Sequence, residues 1–196
     1  HHDGDLPARS GIGSSSAFAV GLLHALHALK GEFVGPERLA EEATRLERDV
    51  LFEPVGCQDQ LLCALGGLRL ITWEPGGAWR ADPVPLAPEI LRAFEERLLL
   101  VYTGPRPDGA APILPAGQNA AALARIQEMP GEGVDLLQDA DWKGFGALLE
   151  EAWWRKRELG PGVSTPMVDD CYAAAKTAGA QAGKLLGSGS GGFLLL

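Results

Sequence analysis

The sequence predicts an α+β fold, with mixed or antiparallel sheets packed on helices. Two helical patterns follow each other without an intervening strand, a Pro75-Gly76-Gly77 turn separates two alternating segments, and a late glycine loop lies between two short apolar runs. A doubly wound parallel sheet would alternate strand and helix throughout, and there is no internal repeat. At 196 residues the chain fits one large domain or two small ones and can bury about 70% of its unfolded surface. Hydrophobic residues form 46% and charged residues 22%, a globular balance that argues against long disorder. The net charge of −9 argues against a nucleic acid partner but leaves room for a local basic pocket facing a phosphorylated small molecule. Cys57, Cys63 and Cys171 lack CxxC spacing, so neither a disulfide framework nor a zinc site is indicated, and a reducing, cytoplasmic setting is expected. No apolar run reaches the roughly 18 residues of a membrane span, so no membrane partner is expected. The ends read as those of a partial chain, because Gly192-Phe-Leu-Leu-Leu196 stops within an apolar strand.

The stretch Gly4-Asp-Leu-Pro-Ala-Arg-Ser-Gly-Ile-Gly-Ser-Ser-Ser16 runs into a helix predicted from Ser14 to Lys30 and stopped by Gly31. Phe18, Val20, Leu22, Leu23, Leu26 and Leu29 cover most of its circumference, which predicts a buried helix. A glycine and serine loop opening a helix leaves backbone N–H groups unpaired at the positive end of the helix dipole, so an anion cradle is one reading. Ordinary capping by Ser14 is the other. His24 and His27 share this helix with no carboxylate or cysteine expected nearby, so they read as satisfied or half-exposed histidines rather than metal ligands.

Pro36 opens a second helix reaching about Leu51, with Leu39, Ala43, Leu46 and Val50 inward and Glu41, Glu42, Arg45 and Arg48 toward solvent. Glu47 adjoins the apolar stripe, either as a boundary residue or as a ligand pointing into a site. Gly56-Cys-Gln-Asp-Gln60 begins a short helix closed by Gly66-Gly67; Asp59 is there a capping carboxylate or a base for a hydroxyl. Hairpin strands over 68–73 and 79–86, a helix over 89–95 and a buried strand over 98–103 come next. Residues 104–117 are rich in proline, glycine and alanine and predict a mobile loop. Helices are expected over 118–129, 141–159 and 167–179, the last capped by Ser164-Thr-Pro166. Arg155, Lys156 and Arg157 close the second of these, answering the helix dipole or meeting an anionic substrate.

The glycine loops first suggest familiar nucleotide motifs, which fail on detail. Gly183-Lys184 is no Walker A, because Leu185 stands where Ser or Thr would hold magnesium and Gly179 is one residue too close. The Gly187-x-Gly189-x-Gly191 run lacks the spacing and following helix of a dinucleotide fingerprint, and no Gly-x-Ser-x-Gly elbow occurs. A serine-rich anion loop, a separate acidic residue, an aspartate after a turn and a distant second glycine loop remain. Together they suit phosphoryl transfer, which needs phosphate donors, oxygen ligands for magnesium and a group near the acceptor hydroxyl.

Leu6-Pro-Ala-Arg-Ser-Gly-Ile-Gly-Ser-Ser-Ser16 resembles the second motif of the GHMP kinases, and Gly187-Ser-Gly-Ser-Gly-Gly192 resembles their third. Gly56-Cys-Gln-Asp-Gln60 with Gly66-Gly67 is similar to the segment carrying the catalytic aspartate in galactokinase-like members. The Gln-Asp-Gln triplet, Lys156-Arg157 and Gly183-Lys-Leu-Leu-Gly187 look most like the D-glycero-D-manno-heptose 7-phosphate kinase branch. The resemblance implies a two-domain fold: residues 1–96 as an ATP-phosphate-binding N-terminal domain lacking its early strands, and 97–196 as a C-terminal domain lacking its end. It implies that Gly11, Ile12, Gly13, Ser14, Ser15 and Ser16 bind the ATP phosphates and that Gly187, Gly189, Gly191 and Gly192 shape the same site. It assigns Ser15 and Glu47 to Mg2+ and Asp59 to orienting or deprotonating the acceptor. The implied activity is transfer of the γ-phosphoryl of ATP to a sugar hydroxyl, the anomeric C1 hydroxyl of D-glycero-D-manno-heptose 7-phosphate. The alternative is an inactive fragment or a non-catalytic nucleotide- or metabolite-binding module of the same fold, since the family's first motif is absent. Arg9, Arg106, Lys156, Arg157 and Lys184 are the basic candidates for substrate contact, and a homodimer is left open.

Overall fold

The computed structural model describes residues 10–106 and 119–196; Arg9 and most of the segment expected to form a mobile loop lie outside them. Seven α-helices and two small antiparallel sheets make up the described residues, an α+β architecture. The chain divides into two units, Gly13–Val84 and Pro85–Leu196, with residues 10–12 belonging to the second. No helix among the described residues is long and apolar enough to cross a membrane.

In the first unit, α1 (Ser14–Leu29) packs on α2 (Pro36–Arg45) and α3 (Gln58–Leu65), and β1 (Arg69–Trp73) pairs with β2 (Trp79–Pro83) around the Pro-Gly-Gly turn. Its core is Ala19, Val20, Val34, Leu39 and Ala43, mostly small side chains that let α1 and α2 approach closely. The expectation that α1 is buried all round is corrected. Ser16, Ala19 and Val20 are buried, but Phe18, Leu22 and Leu26 stay 46%, 41% and 45% exposed, because α2 and α3 cover a single face. His27 is the satisfied, half-buried histidine expected, but contrary to expectation its partners are carboxylates: its ring bonds Glu42 (2.6 Å) and Glu32 (2.8 Å), which raise its pKa. No group of three ligating residues that could hold a metal occurs among the described residues.

The second predicted helix does not run evenly to Leu51. After Arg45 it widens into a π-helical turn, Leu46–Val50, closed by the Leu51 N–H donating to the Leu46 carbonyl at 3.0 Å. The hydroxyl of Thr44 donates back to the Ala40 carbonyl at 2.7 Å just before this point, a bond that bends helices. The extra residue in the turn rotates the end of the helix, so Val50, expected inward, is 62% exposed while Glu47 is buried at 4%.

The second unit contains α4 (Pro88–Glu95), β3 (Leu100–Tyr102), α5 (Ala120–Gln138), α6 (Trp142–Arg157), α7 (Pro166–Thr177), β4 (Lys184–Leu185) and β5 (Phe193–Leu195). The strand order is β3-β5-β4, with Val101 and Leu185 both opposite Leu194. The strand predicted as buried over 98–103 is a short edge strand instead: among the described residues it pairs on one side only, and Leu100 and Tyr102 remain about half exposed. Helix α5 continues past its predicted end, through Pro130 to Gln138, because Met129, Gly133 and Leu137 are buried and α5 packs along α6. Asp141 caps α6 by accepting from the Gly144 N–H, and Thr165 caps α7 by accepting from the Val168 N–H. Trp153, Val163, Val168, Tyr172, Leu185 and Leu194 form the core beneath the sheet.

Candidate active site

The start of α1 is open to an anion in a way that sequence alone left undecided. Its cap is Gly13, not Ser14. Gly13 holds a left-handed φ of 72° and offers no capping side chain, and no acidic residue occupies the first turn. Ser14 is therefore the first helical residue, half-buried; Ser15 is exposed and Ser16 is buried. The N–H groups of this turn meet neither of their usual local partners, a capping oxygen or a carboxylate.

Ser16 points inward to a polar cluster that joins three elements of the first unit. Its hydroxyl donates to Glu47 Oε2 at 3.0 Å, and the Gln60 side-chain amide donates to the same oxygen. All three residues are essentially inaccessible, at 2%, 4% and 1% exposure. The family resemblance assigns magnesium to Ser15 with Glu47; the structure brings Glu47 to Ser16, and Ser15 one residue earlier faces outward.

Asp59 sits at the start of α3 without making a side-chain cap there, so the capping reading has no geometric support. It lies against the first loop: a Cβ added to Gly13 would stand 3.6 Å from the Asp59 Cβ. The residue is exposed, yet the protein on its inner side raises its pKa by desolvation, with the charge of Glu47 adding to the shift. One turn on, the Cys63 thiol lies 3.8 Å from the Gly13 carbonyl, and its pKa is raised by burial and then by Asp59 and Glu47.

In the second unit, the other glycine loop is shaped by close backbone packing. A Cβ on Gly187 would stand 2.7 Å from the Gly11 Cα, and one on Gly191 would stand 2.9 Å from the Pro105 carbonyl oxygen. Gly192 has φ 108°, and a Cβ there would collide with the Ser10 carbonyl. That carbonyl accepts from the Phe193 N–H at 3.1 Å, so residues 10–12 lie alongside β5 and the loop. Gly189 is buried within the turn, and Ile12 is half-buried.

The basic candidates are largely committed to structure. Lys156 donates to the carbonyls of Leu185 (3.0 Å) and Gly187 (2.6 Å), tying α6 to the start of the loop, and burial with the nearby Lys184 charge lowers its pKa to about 7. Arg157 pairs with Asp169 and lies over Trp153 and Trp154. Arg106 donates to the Ser188 hydroxyl at 2.6 Å, and Lys184 is half-buried with its pKa lowered by desolvation. Sequence reasoning missed Gln60 and the tether made by Lys156; the repeated glutamine beside Asp59 was the only signal for the first, and nothing local marked the second.

The GHMP kinases N terminal domain model matches residues 1–67 and the GHMP kinases C terminal model matches residues 134–196, so the chain belongs to the GHMP kinase family. Among curated proteins it is similar to a D-glycero-alpha-D-manno-heptose 7-phosphate kinase of Campylobacter jejuni, at 26% identity over 99% of this chain and 59% of that protein. It also resembles a bifunctional fucokinase/GDP-fucose pyrophosphorylase of Arabidopsis thaliana, at 27% identity over 98% of this chain and 19% of that protein. The chain thus spans less than two thirds of the length of both relatives. Among solved structures, a D-glycero-D-manno-heptose 1-phosphate kinase from Bacteroides thetaiotaomicron shares the fold with a TM-score of 0.77 at 24% identity, over 98% of this chain and 54% of that one.

Proposed function

We propose that the chain carries the phosphoryl-transfer machinery of an ATP-dependent sugar kinase, acting on the anomeric C1 hydroxyl of D-glycero-D-manno-heptose 7-phosphate. The observation that carries this reading is the buried Ser16–Glu47 pair standing behind an uncapped helix start, with Asp59 against the same loop. In this reading residues 1–96 form the ATP-phosphate-binding half and 97–196 the C-terminal half. The N–H groups and hydroxyls from Gly11 to Ser16 receive the phosphates, and Gly187, Gly189, Gly191 and Gly192 give the close backbone approach of the family's glycine motif.

The residues present fit a magnesium ion. Glu47 and a serine hydroxyl are hard oxygen donors, and Glu47 Oε1 makes no hydrogen bond among the described residues. Magnesium is commonly held by one or two carboxylates completed by phosphate oxygens and water, so no all-protein cage is required. When bound it neutralises charge on the transferring phosphates. Asp59 accepts the proton of the attacking sugar hydroxyl, and its raised pKa makes it a better base than an ordinary aspartate. Positioning and electrostatic complementarity supply most of the rate.

A coupled assay of ADP release across heptose 7-phosphate, fucose, galactose and mevalonate tests the reading; the heptose is expected to give the highest kcat/KM. A higher value for another acceptor would replace the substrate. No turnover, together with no nucleotide-induced rise in Tm, would favour a metabolite-binding module instead. Ser16→Ala is expected to raise the Mg2+ concentration for half-maximal rate more than Ser15→Ala does, and the reverse order would return the metal role to Ser15.

A further inference from the structure

We propose that Gln60 is a positioning residue: with Ser16 it holds one oxygen of Glu47 and leaves the other for a divalent cation, an inference that rests on the kinase reading above. Both donors converge on Oε2, the Ser16 hydroxyl from α1 and the Gln60 amide from α3, while Glu47 itself comes from the π-helical turn. Oε1 makes no hydrogen bond among the described residues, so the cluster is asymmetric at its carboxylate. Turned over, the Gln60 amide would set its own carbonyl against the Glu47 carboxylate, so the donating orientation is the one electrostatics allows.

Gln60 does not serve as filler. It is 1% exposed, as buried as its neighbour Leu61, and its Oε1 has no hydrogen-bond partner among the described residues. Burying an amide with one end unsatisfied opposes folding, and a leucine or methionine would fill the space without that cost. What an apolar residue cannot do is donate to Glu47. Holding a metal-binding carboxylate by a hydrogen bond restricts its rotation and fixes which oxygen it presents, and loss of such a partner typically weakens metal affinity about 10- to 100-fold.

The test measures binding of ADP to the chain by calorimetry, with and without Mg2+, and reads the ratio of the two affinities. Gln60→Met keeps length and loses the donor; it is expected to leave metal-free ADP affinity unchanged and to lower the Mg2+ enhancement about tenfold. Glu47→Ala should abolish the enhancement, and adding Gln60→Met to it should change nothing further, since Gln60 acts through Glu47. Gln60→Leu serves as the second variant should the methionine lower Tm. An enhancement that survives both Gln60 variants, or effects that add in the double variant, would overturn the inference alone. A wild-type chain that binds ADP equally well with and without Mg2+ would overturn the cation site of the kinase reading, and this inference with it.

Discussion

The polar cluster of the first unit and the glycine loop of the second represent two ways of building a site. Around Ser16, Glu47, Asp59 and Gln60 the chemistry belongs to side chains, three of them buried and polar, next to an apolar core of Ala19, Val20, Val34, Leu39 and Ala43. Around Gly187 to Gly192 it belongs to the backbone, because at three glycines a neighbouring main chain occupies the place of a side chain. The first region should therefore tolerate substitutions that keep size and fold but lose function. The second should lose stability as soon as a methyl group is added.

Asp59→Asn probes the chemical side of this contrast and carries the largest expected effect: kcat should fall about a thousandfold, near 4 kcal/mol of barrier, as loss of a general base entails. Steady-state kinetics with a parallel nucleotide titration check it, the titration staying at the wild-type value. Unchanged turnover would remove Asp59 from the base role.

Gly192→Ala probes the structural side. The added methyl meets the Ser10 carbonyl at a backbone angle that favours glycine, which should cost about 3 kcal/mol of stability. Gly21 in α1 is the control, since a Cβ there meets nothing within 4 Å and alanine should gain up to about 1 kcal/mol of helix propensity. Urea unfolding of both variants decides whether close packing, rather than glycine itself, is what matters.

Lys156→Met refines the contrast by removing the ammonium group that donates to two carbonyls at the start of the loop. Its pKa is lowered in the folded state to about 7 from an ordinary 10.5. Between those values the unfolded chain retains a proton that the folded chain has released, so this group makes stability rise as pH increases from about 7 toward 10.5 and contributes no slope below. Unfolding measured across that window should show the rise in the wild type and lose this part of it in the variant; an identical slope would mean that Lys156 keeps its ordinary pKa.

The legible and illegible parts of the molecule divide along the same physical line. Gly13, Ser14 to Ser16 and the glycines from 187 to 192 stand out in the sequence because loops that open helices and backbones that approach closely demand small residues locally. The glycine turn and alternating flanks of the hairpin, and the Thr165-Pro166 start of α7, were equally readable. The outward turn of Val50 was not, because it depends on a π-helical turn that no residue in the stretch announces. Nor was the half-exposed face of α1, since periodicity reports that a face is apolar without saying what packs on it.

Most of the elements and the residue types of the candidate site were thus written in the order of the residues, since interactions a few positions apart govern them. Tertiary packing alone determined that Ser16 rather than Ser15 meets Glu47, that Gln60 completes the pair, and that Lys156 serves the glycine loop. Those partners are separated by 31, 13 and 29 or more positions, and at such distances a hydrogen bond depends on how helices pack and turn, not on the residues between.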